Sequence, residues 1–215
     1  MDSELVAYYR RRAREYEAIY AKPERQADLG KLREKIPALL AGRRVLEVAC
    51  GTGYWTECMA PRATEVVAVD LAEEAMAIAR AKSYPAERVR FETADAYALP
   101  AALGMFGGAF AGFWWSHVPR GRIAEFLDSL HASLEPGAVV ALLDNRYVEG
   151  SSTPIAGFDA DGNTFQVRRM ADGTPVRVMK NFPSEEELRR DLAPRATAIE
   201  YTALEYYWLA SYRLA

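Results

Sequence analysis

The sequence predicts a doubly wound α/β fold, with a mostly parallel sheet covered by helices on both faces. Three observations carry this. Apolar runs of strand length alternate with helix-length amphipathic stretches. A glycine-containing segment, EVACGTG, leads from the first run into a helix. The last stretch, ATAIEYTALEYYWLASYRL, holds two alternating apolar runs with no helix-length segment between them, which should pair antiparallel at one sheet edge.

The elements follow in order. From Leu5 to Tyr20 the apolar and aromatic positions Leu5, Tyr9, Tyr16 and Ile19 recur at helical spacing, predicting an N-terminal amphipathic helix; Arg10, Arg11, Arg12 and Arg14 read as its solvated face. A second helix spans about 26–40, and at Arg44 the period changes to the continuous run VLEVAC, a buried parallel strand. Strands are expected at 45–50, 66–70, 89–93, 108–115 and 138–143, and helices from Tyr54, at 73–82 and at 120–133. Pro136-Gly137 marks the turn before the strand at 138. GSSTPIAGFDADGNT reads as a polar loop, and FQVRRM and VRVMKNF around ADGTP as a β-hairpin. Ser184 with Glu187 forms a capping box that starts a helix through about Leu192. The expected divisions are a helical cap at 1–42, a core at 43–149, a loop and hairpin insertion at 150–183, and a helix and strands completing the sheet at 184–215.

At 215 residues, with half of them apolar, the chain has the length and composition of one globular domain with an insertion. Cys50 and Cys58 read as reduced packing thiols of a cytoplasmic protein, and with only two histidines no zinc set is expected. DADGN at 159–163 places threonine and methionine where a calcium loop needs glycine and glutamate, so no metal is expected. The N-terminus lacks the pattern of a secretory leader. The most apolar stretch, Met105 to Trp115, is shorter than the ~18 residues of a membrane span. A net charge of −3 offers no global field for nucleic acid.

The glycine segment is the informative one. Two glycines at a strand-to-helix turn allow close backbone approach to a ligand, but alone they are a weak signal. A dinucleotide site needs a small residue three positions on; Thr56 stands there, after the bulky Tyr54 and Trp55. Glu47 would repel a phosphate and suits a ligand carrying an ammonium and a sulfonium. Asp70 ends the next strand 17 positions beyond Gly53, where an acid can accept ribose hydroxyls. Asp95-Ala96 follows the third strand, placed for an adenine amino group.

Over roughly residues 43 to 145 the sequence resembles the class I S-adenosylmethionine-dependent methyltransferases. LEVACGTG is similar to their glycine motif, VVAVD to their ribose-binding acid, TADAYALP to their adenine-contacting loop and SLEPGAVVALLD to the approach to their fifth strand. The resemblance implies a Rossmann-like seven-stranded sheet with a reversed C-terminal strand, and S-adenosyl-L-methionine as cofactor, leaving S-adenosyl-L-homocysteine. It places Glu47, Gly51 and Gly53 at the methionine moiety, Asp70 at the ribose, Leu71 on the adenine, and Asp95 with Ala96 at its edge. Tyr16, Trp55 and Trp114 complete the expected cofactor-binding set.

In that fold the acceptor meets the ends of the fourth and fifth strands, here around Phe113–Pro119 and Asp144–Tyr147. Tyr9, Trp115, Ser116, His117, Asn145 and Arg146 form the expected acceptor-binding set. His117 is the candidate general base, weighed evenly against a histidine that only bonds backbone. Trp114 and Trp115, as strand neighbours, should face opposite ways. Tyr8, Tyr9, Arg12 and Tyr16 suit a helix closing over the cofactor, set against simple packing on the core. Arg168, Arg169, Arg177 and Lys180 suit an anionic acceptor such as a carboxylate, set against a solvated strand edge. The expected activity is methyl transfer to O, N or carboxylate of a small molecule. The alternatives are an inactive cofactor-binding or interaction module of the same fold and, behind it, a macromolecule methyltransferase; SHVP stands where nucleic-acid amino-methylating enzymes carry their tetrapeptide.

Overall fold

A computed structural model describes residues 13–215 apart from 86 and 171, with side chains from residue 17 onward. Seven strands form the main sheet in the order β3-β2-β1-β4-β5-β10-β9. β1 (Arg44–Val48) lies parallel between β2 (Glu65–Asp70) and β4 (Phe106–Gly112). β3 (Val89–Thr93) and β5 (Leu134–Asn145) extend the parallel set on either side. β10 (Tyr207–Leu214) runs antiparallel to both β5 and the edge strand β9 (Ala196–Ala203).

The continuous apolar runs are explained by burial on both faces. Along β1, Leu46 and Val48 join one core cluster and Val45 the other. The first cluster lies under α4 (Ile123–His131) and α5 (Glu185–Leu192), and the second under α1 (Gln26–Leu39), α2 (Tyr54–Met59) and α3 (Glu73–Arg80). Each fully buried side chain such as Leu46 or Phe110 contributes roughly 1.5–3 kcal/mol by leaving water.

Several boundaries differ from expectation. The described part of the expected Leu5–Tyr20 helix is a 3₁₀ helix, Ala13–Ala21. β1 stops at Val48, not at 50, because Ala49 and Gly51 take left-handed φ of 57° and 55°. β4 ends at Gly112, since Phe113 is also left-handed, at φ 59°. β5 begins at Leu134, and Pro136-Gly137 sits in a bulge inside it: the pairing jumps from Phe106↔Leu134 to Gly108↔Val139. The expected helix at 120–133 is a short 3₁₀ turn, Arg120–Arg122, followed by α4. The capping box at Ser184 and Glu187 forms as expected.

The insertion is a three-stranded antiparallel sheet, β6 (Ile155–Phe158), β7 (Thr164–Arg169) and β8 (Pro175–Met179), where a single hairpin was expected. DADGN is the turn between β6 and β7, in which the Asp159 carboxylate accepts from the Asp161 and Asn163 amides. Among the described residues, no helix is long and apolar enough to cross a membrane.

Candidate cofactor loop and acceptor cavity

The glycine loop and the end of β2 are held together by one carboxylate. Asp70 Oδ2 accepts from the Gly51 amide and Oδ1 from the Ala72 amide, each at 2.8 Å. The Leu71 amide is a third backbone donor to the same carboxylate, whose four acceptor positions still leave room for a ligand hydroxyl. Burial pushes the Asp70 carboxyl up, and the backbone amides oppose that shift. Gly51 has open space where a side chain would stand, so a ligand can approach its backbone.

The rest of the loop fits a cationic nucleoside. Glu47 is buried, accepts from Thr56 Oγ1 at 2.5 Å, and is pushed by burial from 4.5 up to about 8. A neighbouring ammonium or sulfonium would favour its ionised form. Thr52 Oγ1 is buried without a hydrogen-bond partner among the described residues, as a group waiting for a ligand would be. On the far side, Asp95 Oδ1 accepts from the Tyr97 amide at 3.0 Å and Ala96 is buried beside it. Leu71 is half-buried at the start of the turn after β2.

A cavity of about 370 Å³ opens beside the C-terminal ends of β4 and β5. Phe113, His117 and Asn145 border it from the main sheet. Lys22, Arg25, Arg168, Arg169 and Lys180 also line it, and none of its described lining residues is acidic. The insertion is thereby part of the site. Arg25 adds a buried Nε without a hydrogen-bond partner among the described residues; its terminal nitrogens reach Asn145 at 3.4 Å and Ser151 at 3.5 Å, and its guanidinium lies over the Tyr206 and Tyr207 rings.

His117 Nδ1 lies 2.7 Å from the Met179 carbonyl oxygen, so Nδ1 carries the proton and donates. Burial first, and then Lys180 and Arg168, hold its pKa well below 6.5. The ring is neutral at pH 7, with Nε2 as its acceptor nitrogen.

The expected residues separate into three groups. Glu47, Gly51, Gly53, Asp70, Leu71, Asp95 and Ala96 lie on the loops at the ends of β1, β2 and β3; His117 and Asn145 border the cavity. Trp55, Trp114 and Trp115 are core residues, and the expectation that the last two face opposite ways is corrected. Both sit beyond the strand, in the same cluster against Phe126, because the left-handed turn at Phe113 ends the alternation. Ser116 is fully buried beneath the cavity, and exposed Arg146 bonds the Leu204 carbonyl on the β9–β10 turn. Tyr8, Tyr9 and Arg12 lie outside the described residues, as does the side chain of Tyr16. From the same segment, Tyr20 stacks on Tyr54, ring centroids 3.7 Å apart.

Sequence reading missed Lys22, Arg25, Ser151, Ser152, Thr153 and Gln166 as cavity residues. The hydroxyl run Ser151-Ser152-Thr153 was the available signal, and it was absorbed into a loop. Lys180, read as either an acceptor contact or a solvated edge residue, is buried and borders the cavity.

A carboxylate-braced glycine loop at the switch point of a doubly wound sheet is where α/β proteins of this class take nucleoside ligands, and here a separate cationic cavity lies in the same sheet's C-terminal crevice. A methyltransferase-domain family model matches residues 45–137. Among solved structures, the chain is similar to DhpI in its complex with SAH, at 27% identity, covering 99% of this chain and 96% of that one with a TM-score of 0.81. The DhpI–SAM–HEP complex is similar at 26% identity, covering 99% of each chain, TM-score 0.79. SAM-bound CalS10 from Micromonospora echinaspora, an amino pentose methyltransferase, shares the fold at 20% identity, covering 91% of this chain and 95% of that one, TM-score 0.63. A demethylmenaquinone methyltransferase of Staphylococcus aureus (strain JH9) is 30% identical over 106 residues, which are 48% of this chain and only 43% of that relative's length. Residues 45–137 thus match a methyltransferase domain, and the fold around them is that of the S-adenosylmethionine-dependent methyltransferases.

Proposed function

We propose that the chain transfers a methyl group from S-adenosylmethionine to a small molecule carrying an oxyanion. The observation that carries this reading is the cavity at the ends of β4 and β5, with five lysine and arginine side chains and no acid among its described lining. Cations crowded around a partly desolvated space repel one another and are relieved by an anion. The DhpI complex with SAM and HEP supports a fold of this shape holding cofactor and a second ligand together.

The cofactor supplies an electrophilic methyl. Asp70 accepts the ribose hydroxyls, the Gly51 loop admits the methionine end, Glu47 balances its positive charge, and Asp95 with Ala96 meets the adenine. The arginines and lysines of the cavity hold the acceptor's oxyanion, so that the reacting oxygen is aligned and water is displaced. An oxyanion is already ionised at neutral pH and needs no proton removed. One C–O bond forms as one C–S bond breaks. His117, neutral and with its Nδ1 proton held by Met179, presents only the Nε2 acceptor, so it meets a donor group of the acceptor molecule and not the oxyanion. The two free thiols fit a reducing, cytoplasmic setting.

The test is calorimetric titration with S-adenosylmethionine, followed by transfer from labelled cofactor to carboxylates and phosphate monoesters, with neutral phenols and amines alongside. Label in the anionic set is expected. Transfer confined to the neutral set would overturn the reading.

A further inference from the structure

The insertion and the main sheet meet through residue-by-residue stitching between 179–181 and 116–118. The Met179 carbonyl accepts from His117 Nδ1, the Asn181 amide donates to the Ser116 carbonyl at 2.8 Å, and Asn181 Nδ2 donates to the Val118 carbonyl at 3.1 Å. Between them Lys180 reaches inward: its Nζ lies 2.5 Å from Ser116 Oγ and 2.8 Å from Asp144 Oδ1. The two charged side chains are 5% and 0% exposed. Asp144 also accepts from the Ser116 amide through Oδ2 and from the Asn145 amide through Oδ1.

Two features set Lys180 apart from a structural ion pair. It borders the cavity despite its burial. An ammonium also has three donors, and the Ser116 and Asp144 contacts use two of them. Burial lowers the Lys180 pKa and Asp144 opposes that shift; burial pushes the Asp144 carboxyl up, and Lys180, His117 and the Ser116 amide together hold it below its ordinary value. Each is the other's partner at 2.8 Å.

We propose that Lys180 is a specificity-determining residue that gives its third N–H to the acceptor's anionic group, with Asp144 as the positioning residue that aims it. This rests on the oxyanion reading above and adds a division of labour. The charge of Lys180 is balanced by Asp144, so it contributes a directed donor, whereas Arg25, Arg168 and Arg169 contribute net positive charge. The insertion thus serves as the wall that selects the acceptor.

Three proteins test it: wild type, Lys180→Met, and the double variant Lys180→Met with Asp144→Asn, which leaves no buried carboxylate without a counter-charge. S-adenosylmethionine affinity is measured by calorimetry, and stabilisation by inorganic phosphate by thermal unfolding without cofactor. KM and kcat for an anionic acceptor complete the set. Phosphate should stabilise wild type and lose roughly 10- to 100-fold in affinity in both variants, the range of one charge-assisted hydrogen bond. KM should rise more than kcat falls, with cofactor affinity kept. If the double variant binds phosphate as wild type does, Lys180 is only a structural tie and the oxyanion reading stands. If wild type itself neither binds phosphate nor accepts anionic substrates, both fail.

Discussion

A Cβ added to Gly53 would stand 2.6 Å from the Tyr84 hydroxyl and 2.9 Å from the Ala79 methyl, so the second glycine of the loop packs against α3 where no side chain fits. Gly53 also has a left-handed φ of 76°. Tyr84 is fixed in turn by its bond to the Ala79 carbonyl. Gly53→Ala should therefore destabilise the chain by about 1–3 kcal/mol through strain and overpacking. Urea unfolding reads this directly, and a loss near zero would show that α3 moves freely away.

Asp70 braces the loop before any ligand arrives, through Gly51 and Ala72. Asp70→Ala should weaken S-adenosylmethionine binding by about 1–3 kcal/mol and also lower the melting temperature of the ligand-free chain. Unchanged calorimetric affinity would remove Asp70 from the ribose site.

Glu47 ties stability to pH. Its folded pKa of about 8 lies above the ordinary 4.5, so across that window the folded chain keeps a proton that the unfolded chain has released. The contribution is present at low pH and is lost as pH rises toward 8. Glu47→Gln should flatten this decline, gaining relative stability from pH 5.5 to pH 8.5. Parallel unfolding curves for the two proteins would contradict it.

His117 should leave no mark on the pH–rate profile. With its pKa held well below 6.5, kcat/KM for the acceptor at saturating cofactor should show no break near that value. His117→Gln should raise KM more than it lowers kcat. A break near 6.5 that this variant abolishes would restore the general base.

The core elements were legible because their signals are local. Continuous apolar runs mark strands buried on both faces, and Ser184 with Glu187 announces its helix in four residues. The loop proposed for the cofactor was legible for the same reason: Glu47, the two glycines and Asp70 fall at fixed offsets along strands and turns. Strand ends were less so. The left-handed turns at Ala49 and Phe113 occur at residue types that give no warning of them, and the second carried Trp114 and Trp115 into the core.

By itself, then, the sequence determined the doubly wound core and the loop proposed to hold a charged nucleoside, since both are written in short-range patterns of hydrophobicity and turn chemistry. Only the tertiary structure decided the cationic cavity. Lys22 and Arg25 precede the sheet, Asn145 ends β5, and Arg168 and Lys180 come from the insertion. No spacing rule joins them, because charges on separate elements become neighbours only when the packing of those elements brings them to one space. The same packing turned Lys180 from an edge charge into a buried donor held by Asp144.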